Sequence, residues 1–393
     1  MKTMMDDTKS TWVEYELGEL LSYEQPTPYI VESTDYNDKY KTPVLTAGKS
    51  FILGYTNETN GVYTALPVII FDDFTTASQY VNFEFKVKSS AMKILTPNTE
   101  LVLPKFIYYR MQIIQFDHST HKRYWIQQYS KIKVSIPPIP VQEQIVAKIE
   151  ELFSELDNGV ETLQKTKQQL TVYRQAVLSE AFQKIDVPVV ETTLDAVLEV
   201  LTDYHANGSY KVLKENVQLL DEPDYAIMIR STNFEKEDFE NDVKYISKHS
   251  YDFLKKSQLH GGEILMGKIG NAGRVYYMKD LGRPMSLAMN MFAMRFKDCI
   301  LSKYVYYYLC SPSAVHEISQ HVKGVGTPTI DKKSVRSIHI RYPDQIELQK
   351  SIVDRVEAQL SICDSIEKTV DTALQQAEAM RQSILKNAFE RRL

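Results

Sequence analysis

The chain has 393 residues, of which 43% are hydrophobic and 25% charged, and its formal net charge is −5. This composition is ordinary for a globular protein, and the length predicts two or three domains. The longest apolar run is far shorter than the roughly 18 residues of a membrane span, and the polar N-terminus does not have the pattern of a signal peptide. The three cysteines lack metal-ligand spacing, so we expect reduced thiols, no metal, no membrane contact and a cytoplasmic location.

The first predicted element is a globular segment over residues 1–139. Pro67–Phe71 and Val81–Val87 have the apolar and β-branched composition of strands. Two aromatic runs, Phe106–Tyr109 here and Tyr304–Tyr308 later in the chain, are expected to pack core helices rather than to stack on bases. The alternation over Ile132–Ile136 ends at two prolines, which predicts a last strand that leaves the sheet before a new helix begins.

A long helix is predicted next, over residues 140–186, because apolar residues recur there at three- and four-residue steps. A second globular segment follows over residues 187–342, with strand-like runs at Glu263–Met266 and Met291–Phe296. Residues 343–393 then repeat the helical pattern. A narrow apolar stripe bordered by charged residues is typical of a helix that packs on another helix.

The two long helices are copies of each other at a constant offset of 207 residues. Identities at this offset pair Glu150 with Glu357, Asp157 with Asp364, Arg174 with Arg381 and Phe182 with Phe389. A repeat this long sets the symmetry of the fold. We therefore predict an α+β protein with two globular domains, two long antiparallel paired helices and an internal pseudo-two-fold repeat. The two domains would then lie at opposite ends of a rod, an arrangement suited to two separated DNA half-sites.

Basic residues are concentrated in two stretches of the chain. Residues 85–135 contain nine Lys or Arg against two Asp or Glu, and residues 243–341 contain sixteen against six. Such stretches are the electrostatic footprint of a nucleic-acid-binding protein, although scattered solvated lysines would give the same counts. The candidate DNA contacts are Lys86, Lys88, Lys122, Arg123, Lys268, Arg274, Lys323, Thr327, Lys332, Lys333 and Arg336. Lysine and arginine mostly contact phosphates, whereas threonine and selected arginines read base edges.

The sequence contains no pattern of a catalytic site. It has no phosphate-binding glycine loop and no zinc-binding motif, so no catalytic residue, metal or cofactor is predicted. Gly267, Gly270 and Gly273 are interpreted as a turn between strands. Asp72 and Asp73 are expected to be acids of a surface turn or acceptors for DNA bases.

Several segments resemble the specificity subunits of type I restriction–modification systems. The most specific ones are Pro137–Phe153 and Met380–Phe389, and the others are Thr46–Lys49, Ser89–Lys93 and Gly326–Lys333. The resemblance spans nearly the whole chain, although the segment from Pro343 to Gln349 departs slightly from the family form. It implies that residues 1–139 and 187–342 are two target recognition domains, separated by the helices over 140–186 and 343–393.

The resemblance also implies a function. Such a subunit is non-catalytic and binds the two halves of a bipartite site in double-stranded DNA. Its helices set the spacing and dock two methyltransferase subunits, which methylate adenine with S-adenosylmethionine and through which restriction subunits join. The faces that carry Leu178, Phe182, Leu385 and Phe389 are then expected to be buried in the helix pair or by a docked subunit. An inactive or alternative specificity allele, or a coiled-coil scaffold without DNA readout, stays open, as do the DNA target and the spacer length.

Overall fold

The computed structural model describes residues 12–48, 50–117, 123–183, 185 and 187–390. The chain forms two compact units. The first unit contains Met1–Gln164 and Asp371–Leu393, and the second contains Lys165–Val370. Each long helix therefore contributes one part to each unit, and each unit is assembled around its own hydrophobic core.

The first unit combines small sheets with short helices. Its described strands are β1 (Val13–Glu16), β2 (Leu21–Glu24), β3 (Thr42–Leu45), β4 (Ile52–Thr56), β5 (Val68–Asp72), β6 (Ser78–Val81), β7 (Lys86–Val87), β8 (Met92–Pro97) and β9 (Lys133–Ile136). Its described helices are α1 (Leu17–Leu20), α2 (Pro104–Met111) and the first part of α3 (Ile139–Gln183). Strands β2, β8, β5 and β6 form one sheet in that order, and β4, β3 and β7 form another. Strand β1 pairs antiparallel with β9, so α3 begins close to the first described strand of the unit.

The prediction of one strand over Val81–Val87 is wrong. Strand β6 ends at Val81, and β7 begins at Lys86 in a different sheet. Between them the chain crosses from one sheet to the other, and the backbone of Phe85 pairs with that of Tyr63. The side chains of Val81, Phe85 and Val87 are all buried in one cluster, so the apolar alternation reports a shared core and not a continuous strand.

The second unit has the same plan with more elements. Its described strands are β10 (Val189–Thr193), β11 (Leu198–Asp203), β12 (Ala226–Ile229), β13 (Lys244–Ile246), β14 (Gln258–Leu259), β15 (Ile264–Gly267), β16 (Val275–Tyr277), β17 (Met285–Leu287), β18 (Met291–Phe296) and β19 (His339–Pro343). Its described helices are α4 (Leu194–Val197), α5 (Tyr210–Asn216), α6 (Ser231–Glu235), α7 (Lys248–Phe253), α8 (Ser302–Leu309), α9 (Pro312–His321), α10 (Lys332–Ser337) and the first part of α11 (Ile346–Phe389). Two four-stranded sheets have the orders β11-β18-β15-β16 and β13-β12-β17-β14, and β10 pairs with β19.

The sequence repeat is also a structural repeat, and two buried glutamines show it best. Gln142 is fully buried at the start of α3; its side-chain oxygen accepts from the N–H of Leu103 at 2.8 Å, and its amide donates to the carbonyls of Leu101 and Pro137 at 2.9 and 2.8 Å. The equivalent residue of α11, Gln349, is equally buried and makes the same three bonds, with Leu301 at 2.8 Å, Cys299 at 3.0 Å and Pro343 at 2.8 Å. Each glutamine therefore links the start of a long helix to two other places in its unit. One is the segment just before α2 or α8, and the other is the end of strand β9 or β19.

The long helices pair antiparallel within each unit, as predicted. In the first unit Ile149 and Phe153 of α3 pack with Leu385 and Ala388 of α11, and Arg381 pairs with Asp157. In the second unit the equivalent residue Arg174 contacts Asp364 at 2.7 Å and Glu367 at 2.9 Å. In the first unit residue numbers rise along α3 as they fall along α11. The second unit shows the same direction, because Lys167 lies near Glu367 and Arg174, further along α3, reaches back to Asp364. Within the described residues, no helix combines the length and apolar character needed to cross a membrane.

Candidate nucleic-acid interface

A buried aspartate joins two of the candidate lysines in the second unit. Asp203 ends β11 and is 6% exposed. One of its carboxylate oxygens lies 2.8 Å from Lys268 Nζ, and the other lies 3.0 Å from Lys332 Nζ. Both ammonium groups also lie near the ring of Phe292, at 5.5 and 6.0 Å from its centroid. Two cations share one anion, so the cluster carries a net positive charge beside an aromatic face.

The pKa of Asp203 is lowered from its ordinary value of 3.8. Burial is the largest single influence and raises the pKa, but the hydrogen bonds and charges of Lys268 and Lys332 together reverse it. The carboxylate is therefore ionised at neutral pH. It holds the two lysines, which come from separate parts of the chain, at fixed positions.

Two loops meet at this cluster, residues 268–274 and 323–332, and we call them the loop pair. The N–H of Ile330 donates to the carbonyl of Lys268 at 3.0 Å. Lys323 and Thr329 exchange two backbone hydrogen bonds of 2.9 and 2.8 Å, which close the second loop like a short hairpin. At its tip Val325 is fully exposed, and Thr327 is exposed beside it.

Replacing Asp203 with asparagine is expected to lower the melting temperature at neutral pH, because two ammonium groups lose their counter-charge. The folded-state pKa lies below the unfolded value, so the carboxylate stabilises the fold above its ordinary pKa of 3.8, and this contribution is lost as the pH falls through the lower folded-state pKa. Melting curves of both proteins from neutral to acidic pH should therefore converge at the acidic end. The exposed Asp298 provides a control, since its asparagine variant should follow the wild type throughout. A difference in melting temperature between Asp203→Asn and the wild type that does not become smaller at acidic pH would contradict this role.

The structure gathers some of the second unit's candidates and separates others. Lys268, Lys323, Thr327 and Lys332 lie on the loop pair, and the exposed Lys333 follows directly on α10. The remaining two have other contacts: Arg336 forms an ion pair with Asp195, and the Arg274 guanidinium lies 5.6 Å from the centroid of the Tyr276 ring.

The candidates of the first unit are less concentrated. Lys86 is buried, with its ammonium 2.7 Å from a carboxylate oxygen of Glu58 and 2.6 Å from the carbonyl of Asn60. Lys88 is exposed, and so is Arg123, whose guanidinium lies 6.0 Å from the centroid of the Phe74 ring. Lys122 lies outside the described residues.

The adjacent acids Asp72 and Asp73 differ from each other. Asp72 accepts hydrogen bonds from the N–H groups of the turn that follows it, as expected of a turn acid. Asp73, however, is 1% exposed, which corrects the expectation of a surface position. It lies 3.3 Å from the equally buried Lys93 and accepts a 2.8 Å hydrogen bond from the N–H of Trp125. Part of the basic character of residues 85–135 is therefore internal.

The four residues predicted to bind a partner are packed within their own units. The ring of Phe182 is 2% exposed and lies 5.3 Å from that of Tyr304 on α8. The half-buried Phe389 lies 5.2 Å from Phe106 on α2. Leu178 and Leu385 are also buried in these clusters. The aromatic runs thus pack core helices against the ends of α3 and α11.

Sequence reasoning missed Asp203 and the burial of the Asp73–Lys93 ion pair, because no local pattern distinguishes these residues from surface charges. The described residues contain no group of three or more His, Cys, Asp or Glu side chains that could hold a metal ion. The loop pair itself presents the ammonium groups of Lys268 and Lys332, the hydroxyl of Thr327 and backbone groups, which suit the binding of phosphates and base edges.

The model of the type I restriction modification DNA specificity domain matches residues 9–171 and 193–376. The chain belongs to this family. Both globular parts carry a copy of the specificity domain, which confirms the resemblance found in the sequence and the internal repeat.

Relatives in this family include specificity subunits from Escherichia coli. The EcoR124I/EcoR124II specificity subunit is 43% identical over 191 residues, which cover 46% of this chain and 47% of that protein. The EcoBI specificity subunit is 26% identical over 273 residues, which cover 65% of this chain and 57% of that protein. The chain thus spans about half the length of the curated relatives that it matches.

Solved structures of type I systems share the specificity-subunit fold. A chain from a study of complex assembly and conformational transition of the type I R-M system aligns with a TM-score of 0.71 and 15% identity, over 98% of this chain and 99% of that chain. The HsdS subunit from Thermoanaerobacter tengcongensis aligns with a TM-score of 0.53 and 15% identity, over 98% of both chains. At these identities the likeness concerns the fold, an α+β repeat with two long helices.

Proposed function

We propose that the chain is the DNA specificity subunit of a type I restriction–modification complex, with no catalytic activity of its own. The observation that carries the proposal is the doubled specificity domain, since one copy in each globular part suits a target with two halves. Each copy would bind one half of a bipartite site in double-stranded DNA. The protein would act in the cytoplasm, where that DNA lies.

We place the DNA contact of the second unit on the loop pair and the start of α10. Lys268, Lys323, Lys332 and Lys333 would bind phosphates, and Thr327 would reach a base edge. The corresponding contacts in the first unit would come from Lys88 and Arg123 with Lys122. Lys86 would first have to leave Glu58, so the proposal does not depend on it. Arg274 and Arg336 would make secondary contacts.

Changing Lys332 and Lys333 to alanine is expected to weaken DNA binding broadly without changing the preferred sequence, because these side chains would touch phosphates. Titrations at several salt concentrations should show the logarithmic salt slope shrink by about one for each phosphate that is no longer neutralised. Lys248→Ala is a matched control, because this exposed lysine pairs with Asp252 within α7. An unchanged slope in the double variant would remove these lysines from the DNA interface.

The proposed partners are two methyltransferase subunits, with restriction subunits bound through them. The decisive experiment is to co-express the chain with its methyltransferase subunits and to map methylated adenines across the genome. A specificity subunit should yield one bipartite motif with a spacer of fixed length. Complexes that assemble without a new methylation motif would instead favour an inactive allele or a coiled-coil scaffold.

A further inference from the structure

The second unit exposes the edge of a sheet. Strand β16 is the last strand of the order β11-β18-β15-β16. Its antiparallel register with β15 is fixed at both ends, where the N–H of Gly267 donates to the carbonyl of Arg274 at 2.8 Å and the N–H of Met278 donates to the carbonyl of Glu263 at 2.9 Å. Hydrogen-bonded positions alternate along an antiparallel pair, so these bonds determine which backbone groups of β16 face β15.

The backbone N–H and C=O groups of Val275 and Tyr277 are the ones that point away from β15. None of the described residues forms a hydrogen bond with them. Unpaired groups in this arrangement are a template on which another strand can add. The edge is therefore ready to accept one more strand.

A cleft of about 850 Å³ runs along this edge, and aromatic side chains form both of its walls. On one side Phe234 stacks on Tyr276, with ring centroids 4.6 Å apart. On the other side Tyr306 of α8 lies 5.8 Å from Tyr277. Successive side chains of β16 thus face opposite walls, and a strand added beside it would place its own side chains alternately against the two walls.

The charges along the cleft favour an acidic occupant. Arg274 and Lys279 are exposed at the two ends of β16. Lys303 is neutralised by Glu357 at 2.8 Å, which leaves Glu237 as the remaining acid in the cleft wall. Two cations therefore face one acid. A second copy of this chain fits less well, because antiparallel pairing of two β16 strands brings the arginine of one copy towards the lysine of the other.

The matching edge of the first unit is contacted by a side chain of the chain itself. Strand β6 ends the sheet order β2-β8-β5-β6, and α2 packs beside it as α8 packs beside β16. Gln112 donates from its side-chain amide to the hydroxyl of Ser78 on β6 at 2.9 Å. The aromatic runs align at an offset of 198 residues, at which Cys310 replaces Gln112 in the second unit. The shorter cysteine cannot reach the strand in the same way.

We propose that β16 is a docking edge for an extended segment of another protein, which adds to the sheet as a further strand. Successive side chains of the segment would face the two aromatic walls in turn and would be apolar or β-branched. Acidic side chains at its two ends would face Arg274 and Lys279. Main-chain hydrogen bonds supply affinity in this mode of recognition, and the pockets for alternate side chains supply specificity. The proposal concerns a protein partner and does not depend on DNA binding.

The test uses the full chain and a labelled synthetic peptide with aspartate at both ends and alternating valine and threonine between them. Fluorescence anisotropy should show saturable binding. Methylating the peptide nitrogens that face the edge should weaken binding at least tenfold, whereas methylating the alternate nitrogens should leave it unchanged. Binding that is absent, or equally sensitive to both sets of methyl groups, would overturn the proposal.

Protein variants test the same edge from the other side. Tyr277→Pro removes an outward N–H, a change that edge strands tolerate, and should abolish peptide binding while the melting curve stays close to that of the wild type. The equivalent change on the first unit's edge, Tyr80→Pro, should have no effect on binding. Lys279→Glu should weaken the binding of the peptide with aspartate at its ends and strengthen the binding of a peptide with lysine at its ends. A failure of this charge exchange would refute the assignment of an acidic partner.

Two rival occupants give different results in the same assay. If an oligothymidylate displaces the peptide and methylation of the peptide nitrogens does not change the affinity of the peptide, the cleft would be assigned to nucleic acid and the proposal would be overturned. Sedimentation that reveals a dimer absent in Tyr277→Pro would assign the edge to a second copy and would also overturn it. A monomeric chain whose peptide binding survives competition by the oligonucleotide supports it.

Discussion

Replacing Phe182 with aspartate is expected to destabilise the second unit by more than about 4 kcal/mol, since it combines the loss of a buried ring with the burial of a charge. The ring packs against both Tyr304 and Tyr308 of α8. Hydrogen exchange of peptides that cover α8 should accelerate strongly. Peptides that cover α2 of the first unit provide the internal reference and should change much less.

The pseudo-symmetric residue gives a matched comparison. Phe389 is only half-buried near the end of α11, and Arg110 lies 5.5 Å from the centroid of its ring. An aspartate there can reach solvent or the arginine, so Phe389→Asp should cost about 1–2 kcal/mol in the first unit. Phe182→Leu, which keeps the site apolar, should also be mild. Equal losses in Phe182→Asp and Phe389→Asp would contradict the difference in burial, and failure of methyltransferase docking without any loss of stability would instead favour a direct partner interface.

Inserting four residues within residues 162–169 is expected to lengthen the spacer of the methylated DNA motif by one or two base pairs. The reason is the spacing role that the family resemblance implies for the helices: we propose that α3 sets the distance between the two proposed DNA-binding surfaces. The insertion adds about 6 Å of helix, compared with about 3.4 Å per base pair of DNA. It rotates the following residues by only about 40°, so the pairing with α11 should persist. Methylation mapping would measure the spacer and should return unchanged half-sites.

A two-residue insertion at the same place is the control. It rotates the following residues by about 200° and should separate Arg174 from Asp364 and Glu367, with loss of the complex. An active four-residue variant whose spacer stays the same length would show that α3 does not set the distance.

Much of the fold could be predicted from the sequence, because its signals are local. The apolar periodicity of α3 and α11 persists over many turns, and the strand predicted at Met291–Phe296 has the same bounds in the structure. The aromatic runs lie on α2 and α8, and the shared offset is enough to identify the repeat. Periodicity and repetition can be read from the sequence alone, because neither depends on which residues are in tertiary contact.

The candidate site was harder to predict, because its contacts are distant in sequence. The lysines that bind Asp203 lie 65 and 129 residues away from it. Lys86 and Lys88 look equivalent in the sequence, yet only Lys86 meets Glu58 and becomes buried. Charge counts therefore located two basic regions but could not separate internal ion pairs from cations that face solvent.

The division of the chain has a consequence for biosynthesis. The second unit is one continuous segment, whereas the first needs residues from both before and after that segment. Leu385, Ala388 and Phe389 complete a cluster with Ile149 and Phe153, and they leave the ribosome only after the whole second unit has been synthesised. The second unit can therefore finish folding before the residues that complete the core of the first unit have been synthesised. A chain that stops between Val370 and Leu385 would contain the complete second unit but would lack this part of the core of the first unit.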